Sequence, residues 1–218
     1  FSYGAAGTYD VTLTVSNATG SDSLTLADFV EVTESDPSPL PIHVGFQHGL
    51  PSTGWIFQSS HPAGSITADS FGAASPLSGH PAMIMSTTGL GIDVVNEAIL
   101  LLDLTGLDGV QLSYWIRETA DEDHPEDGLF LTDASGSPEV LVHQHHPNVP
   151  WWTLLTVDLI PIVDANGLDP ASLRVIFRQR DNFPVGDDGI LIDDVNVTEL
   201  GSMIGTPSSL SVLSLIHI

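Results

Sequence analysis

The chain has 218 residues, 42% of them hydrophobic, which allows one packed domain with a further fragment and excludes wholesale disorder. It carries 28 acids against 4 bases, all of them arginine (Arg117, Arg174, Arg178, Arg180), so a formal net charge of −24 repels nucleic acid and anionic membranes and attracts cations, Ca²⁺ among them. Without cysteine there are no disulfides or thiolate metal sites, and no run approaches the ~18 apolar residues of a membrane span.

In chain order, residues 1–34 read as β-hairpins. In "GTYDVTLTVSN", Tyr9, Val11, Leu13 and Val15 alternate with Asp10, Thr12, Thr14 and Ser16, the period of a half-buried strand. "NATGSD" supplies turn residues, and "SLTLADFVEVT" is the next strand. On Tyr3, Gly7-Thr8-Tyr9, Val11, Leu13, Val15, Asn17, Gly20 and Ser21-Asp22, this stretch resembles the C-terminal half of a PKD domain. The resemblance implies a partial immunoglobulin-like fragment whose apolar face lacks its usual cover. The prolines of "ESDPSPLP" then mark an extended linker over 35–41, the clearest domain boundary.

From residue 42 to about 200 the chain reads as short strands: "IHVGFQ", "GWIFQ", "SITADS", "AMIMST", "EAILLLDLTG", "VQLSYWIRET", "GLFLTD", "EVLVHQ", "WTLLTVDL", "LRVIFRQR" and "GILIDDVNV". Their spacing of about 8–15 residues favours an all-β sandwich or jelly roll. "IPIVDANGLDPAS" has room for a turn of helix, with Asp169-Pro170 as a start signal. Residues 201–218 are expected to be a disordered tail. The chain opens on Phe1, which points to a start short of the true N-terminus, and its last six residues, "LSLIHI" (213–218), look like translated sequencing adapter on a metagenomic fragment.

The closing strand carries adjacent aspartates. By simple alternation Leu191, Asp193, Val195 and Val197 share one face, while Ile190, Ile192, Asp194 and Asn196 share the other. The first is the more apolar, so Asp193 is expected to point into the core. A buried carboxylate needs compensation. A Ca²⁺ ion, an arginine or hydrogen-bond donors would supply it, and simple exposure is the remaining option.

"GFQHGLPSTGW", "EDGLFLTDASG", "WWTLLTVDL", "FRQRDNFPVGDDG" and "GILIDDVNV", in that order, resemble a group of secreted jelly-roll modules. The group includes MAM-type domains, cleaved-adhesin domains of bacterial surface proteases and galactose-binding-like carbohydrate-binding modules. The resemblance implies a jelly-roll β-sandwich over 42–200 and a role in adhesion or in binding a glycan or protein. It also implies a structural Ca²⁺ held by the opening motif and the closing aspartate pair, here Gln47 and Asp193. Gln47 offers only a neutral carbonyl where such modules carry an acid.

"ETADEDHPEDG" and the segment from Asp181 to Asp188 are oxygen-rich loops, with Asp127, Asp187 and Asp188 as further candidate cation ligands. Both follow arginine-bearing strands and are expected at one end of the sandwich as an acidic rim; solvated acidic loops are the alternative. In "HQHHP", His143 and His145 alternate onto one face, a spacing that can chelate zinc, yet no H-E-x-x-H frame accompanies it. There is no G-x-S-x-G elbow, no lysine and no phosphate loop, so catalysis is not expected. The adjacent pairs Trp151-Trp152 and Tyr114-Trp115, and Phe183, are candidate ligand contacts, because an outward aromatic stacks on a sugar face. The expectation is a non-catalytic extracellular module of a larger surface or secreted protein, covalently joined to neighbouring domains, with a glycan or surface protein as partner. A Ca²⁺-rigidified spacer and an accessory domain of, or part of, a secreted hydrolase, with the His cluster or a carboxylate pair as its catalytic groups, are the alternatives.

Overall fold

A computed structural model describes residues 7–32, 35–70, 81–118, 124–145, 151–184 and 189–201. Strands β1 (Gly7–Asn17) and β2 (Gly20–Val32) form a two-stranded antiparallel sheet of their own. Asn17 closes its turn, its Oδ1 accepting from the backbone N–H groups of Thr19 and Gly20. Leu13 pairs with Leu24 and Val11 with Leu26 on one face; Thr12–Thr25 and Thr14–Ser23 form hydroxyl pairs on the other. Leu13, Val15 and Leu24 are each more than 60% exposed.

The remaining strands form two stacked sheets. They are β3 (Ile42–Val44), β4 (Trp55–Ser59), β5 (Gly64–Asp69), β6 (Ala82–Thr87), β7 (Val94–Leu102), β8 (Val110–Glu118), β9 (Gly128–Thr132), β10 (Val140–Gln144), β11 (Thr153–Asp158), β12 (Leu173–Asp181) and β13 (Ile190–Glu199). The front sheet has the order β10-β9-β12-β7-β4. The back sheet has the order β11-β8-β13-β6-β5, with β3 also paired to β13. All the pairings are antiparallel. The fold is an all-β sandwich, with every expected strand present.

Alternation builds the core. Leu173, Val175 and Phe177 of β12 face Leu112, Tyr114 and Ile116 of β8, all buried. Phe177 stacks on Trp55 at 6.0 Å and meets the edge of Tyr114 at 5.1 Å. Each such side chain contributes about 1.5–3 kcal/mol by leaving water. Helix α1 (Leu159–Asn166) follows β11, buries Leu159 and Val163, and ends on Gly167 in the left-handed region, φ 64°. The Asp169-Pro170 signal opens a separate 3-10 turn, Pro170–Ser172, in which Asp169 accepts from the Ala171 N–H. The α-helix therefore lies one segment earlier than the start signal suggested.

Two features depart from expectation. The proline-rich segment is docked on the sandwich rather than running free. Ser35 Oγ accepts from Gly54 N–H at 2.8 Å, Ser38 N–H donates to Leu101 O at 3.2 Å, and Leu40 packs on the core. Gly54 is required there. Its φ is 71°, and a Cβ would stand 2.8 Å from the Ser38 backbone nitrogen. The second departure is a bulge in β13 between Asp193 and Asn196, with Asp194 at φ 47°.

Candidate ligand-binding face

The bulge changes which residues face inward. Ile190, Ile192, Val195 and Val197 enter the inter-sheet core, while Leu191 packs with Ile84 and Trp152 on the outer side of the back sheet. Asp193 follows Leu191 onto that outer side, opposite Trp115. The expectation that Asp193 points into the core is thus overturned, because the extra residue shifts the parity of the strand. Asp193 is nonetheless fully buried, and one oxygen accepts from Asp194 N–H at 2.8 Å.

Among the described residues, the expected metal ligands Gln47, Asp127 and Asp193 are not gathered into one site. Asp194, not Asp193, turns toward the opening motif. A Cβ on Gly45 would lie 2.7 Å from Gln47 Oε1 and 3.1 Å from Asp194 Oδ1, so two oxygens converge on one small cradle. Asp127 lies in the front sheet at the start of β9, buried, with an oxygen accepting from Arg180 N–H. Asp187 and Asp188 lie outside the described residues. The loops after β8 and β12 do leave from one end of the sandwich, since Glu118 pairs with Ile190 and Arg178 with Gly128. His143 and His145 have ring centroids 6.1 Å apart, but His145 is buried and shares a 3.0 Å hydrogen bond with Tyr114 Oη. Among the described residues no group of three or more His, Asp or Glu side chains is placed to hold a metal ion.

The expected aromatic contacts divide. Tyr114 is buried against Phe177 and cannot meet a ligand; burial and the Glu118 charge raise its phenol well above its ordinary value. Trp152 is half-buried on Leu191 and Ile84, whereas Trp151 (79%) and Phe183 (38%) are exposed.

The outer side of the front sheet carries what single-strand reading missed. Ile56 pairs with Ile99, Ile99 with Ile176, Ile176 with Phe130, and Phe130 with Leu141. These five form an unbroken apolar row across all five strands, in which Ile99, Ile176 and Phe130 are buried, Ile56 is half-buried and Leu141 is 45% exposed. No other described segment adds an apolar side chain to the Ile99, Ile176 and Phe130 cluster beyond Leu101. One step along the strands runs a polar row: Gln58, Glu97 and Arg178, then Gly128 and Gln144. Arg178 lies 4.5 Å over the Phe130 ring, donates through Nε to Glu97 at 2.6 Å, and grips Glu139 with both terminal nitrogens at 2.7 and 2.6 Å. Gln58 Nε2 donates to the other Glu97 oxygen. The Arg178 hydrogen bonds hold the Glu139 carboxyl below its usual range, and Glu139 in return raises the guanidinium. The result is a fixed comb of planar polar groups beside an apolar strip.

The sequence did contain a signal for this face. "EAILLLDL", "GLFLT" and "LRVIF" are apolar at consecutive positions, which implies that both sides of a strand are withdrawn from water. Which outer positions align could not be read without the registers.

No family model matches the chain, and neither does any curated protein sequence. Solved structures are similar to it in fold. The K1 cleaved-adhesin domain of Lys-gingipain from Porphyromonas gingivalis W83 is 15% identical, with 75% of this chain and 100% of that chain covered and a TM-score of 0.49. The CBM22-1 xylan-binding domain of Paenibacillus barcinonensis Xyn10C is 13% identical, with 76% and 97% covered and a TM-score of 0.46. TmCBM61, solved with β-1,4-galactotriose, is 16% identical, with 72% and 94% covered and a TM-score of 0.45.

Proposed function

We propose that the sandwich is a non-catalytic glycan-binding module, and that the outer side of its front sheet is the binding face. The observation that carries this reading is the Gln58–Glu97–Arg178–Glu139 comb, fixed beside the buried Ile99, Ile176 and Phe130 and flanked by the exposed edge residue Leu141. A sugar ring has a C–H face and a rim of hydroxyls. Leu141 and the half-buried Ile56, at the two edges of the sheet, offer apolar contact to the first, and planar groups with paired donors or acceptors suit the second. Ion pairing fixes the comb before a ligand arrives, which lowers the ordering cost of binding. The module would act outside the cell, joined to other domains of a larger secreted or surface protein. Among the described residues no helix is long and apolar enough to cross a membrane.

The test is a titration of the full chain against an array of neutral polysaccharides, with β-1,4-xylan and β-1,4-galactan as first probes. Gln58→Ala, which leaves the Arg178 pairs intact, should weaken a bound glycan about tenfold without moving the melting temperature. Binding that survives Gln58→Ala and Arg178→Ala but disappears in Trp151→Ala would move the site to the exposed tryptophan at the loop end.

A second reading, a spacer stiffened by Ca²⁺, rests on the Gly45 cradle. The oxygens of Gln47 and Asp194 suit a hard cation, and calcium takes 6–8 oxygens, so backbone carbonyls would have to complete the shell. Addition of Ca²⁺ should then raise the melting temperature, and Asp194→Asn should abolish the rise. A rise that persists in that variant would place the ion elsewhere.

A further inference from the structure

Three of the chain's four arginines, Arg174, Arg178 and Arg180, lie on the outer side of one strand, β12, at the middle of the front sheet. They are not equivalent. Arg178 is held by Glu97 and Glu139, and Arg180 by Asp93 and Glu126, each arginine facing two carboxylates. Arg174 is half-buried, and among the described residues its side chain makes neither an ion pair nor a hydrogen bond. Asp133 lies in its field, and the oxygens of that carboxylate accept from Ser135 and from the Asp169 N–H. The face is therefore net negative around Arg178 and Arg180, while at its other end Arg174 carries a guanidinium outside any ion pair among the described residues, with Asp133 in its field.

Two further features lie at the Arg174 end. Thr132, directly across the strand pair from Arg174, is 4% exposed, and its hydroxyl has no hydrogen-bond partner among the described residues. A cavity of about 180 Å³ abuts Arg174, walled by Ser35 and Pro37 of the docked segment and by Leu101, Ala134 and Ser172. That is smaller than the ~300–1,000 Å³ of a drug-sized site and suits one substituent rather than a chain of rings.

We infer that the Arg174 end of this face is a carboxylate subsite that takes the acid group of a uronic acid unit within the bound glycan. This rests on the glycan-binding reading above. The guanidinium fork matches a carboxylate in two parallel N–H···O bonds. The overall charge of −24 disfavours densely charged polyanions, so the fitting ligand is a neutral backbone with sparse acid side groups.

The test compares glucuronoxylan with the same polymer after reduction of its carboxyl groups, by calorimetry on the full chain. The native polymer should bind about tenfold or more tightly than the reduced one. Arg174→Ala should bind both forms alike, at the level of the reduced polymer, and Arg174→Lys should recover little of the difference. The comparison on the unmutated chain stands even if a variant folds poorly. Equal binding of both forms, lost in Gln58→Ala, would overturn the acid subsite and leave the glycan face in place. A preference that persists in Arg174→Ala would also overturn it. Binding of neither form, together with a blank neutral array, would overturn the glycan reading and the subsite with it.

Discussion

Tyr114 and Trp151 are both aromatic residues beside a second aromatic candidate in the sequence, and they meet opposite fates. Tyr114 is fully buried against Phe177, and Trp151 is 79% exposed. Tyr114→Ala and Phe177→Ala should each cost about 3–5 kcal/mol in urea denaturation, the penalty for emptying a large aromatic site in a packed core. Trp151→Ala should stay within about 0.5 kcal/mol of the parent chain, as exposed positions do. A Tyr114→Ala variant of unchanged stability would contradict the inter-sheet position of that ring. Asp194 poses a different residue-scale question, since its φ of 47° is a conformation that side chains with a Cβ adopt at a cost. Asp194→Gly should be neutral or stabilising in the absence of calcium, whereas Asp194→Val should destabilise by about 1–2 kcal/mol.

At the scale of elements, every strand of the sandwich was legible, because each is a short alternating or continuously apolar run set off by turn residues. What one strand cannot display is its relation to another. The β13 bulge inserts a residue and reverses the parity that Leu191, Asp193 and Val195 had shared, so Asp193 left the core face that simple alternation gave it. The transverse row from Ile56 to Leu141 joins residues up to 120 positions apart, counting from Ile56 to Ile176. Its existence depends on four registers at once. The proline-rich segment misled for a related reason: its composition is that of a spacer, and its partners, Gly54 and Leu101, are set by tertiary contact. Gly54→Ala tests that contact directly. It should cost about 2 kcal/mol or more from the left-handed backbone and the collision with Ser38, and should speed proteolysis within 35–41. A variant within about 0.5 kcal/mol of the parent would mean that the segment is not fixed there.

For the molecule as a whole, charge sets the response to pH. Hydrogen bonds from Arg180, Ser135 and Arg178 hold the carboxyls of Asp93, Asp133 and Glu139 below their ordinary values. Groups lowered on folding stabilise fully above their unfolded values, near pH 4, and lose that contribution as pH falls through their folded values. Against this, partial protonation relieves the mutual repulsion of a chain with net charge −24. The melting temperature should therefore rise modestly from pH 7 toward pH 5 in low salt and fall steeply below about pH 4. Glu139→Gln should shallow the acid limb, and added salt should flatten the rise. A melting temperature that climbs continuously to pH 3 would show that these carboxylates add nothing on folding.

The antiparallel pairing of β3 with β13 sets Ile42 beside Val197 and Val44 beside Val195, so the chain enters and leaves the sandwich side by side. A stretching force applied through both flanks would peel this ladder one bond at a time instead of shearing it all together. The anchoring of Ser35 and Ser38 to Gly54 and Leu101 intercepts such a force before it reaches β3. If the chain were loaded through its flanks, breaking those two hydrogen bonds would be expected to precede opening of the sandwich.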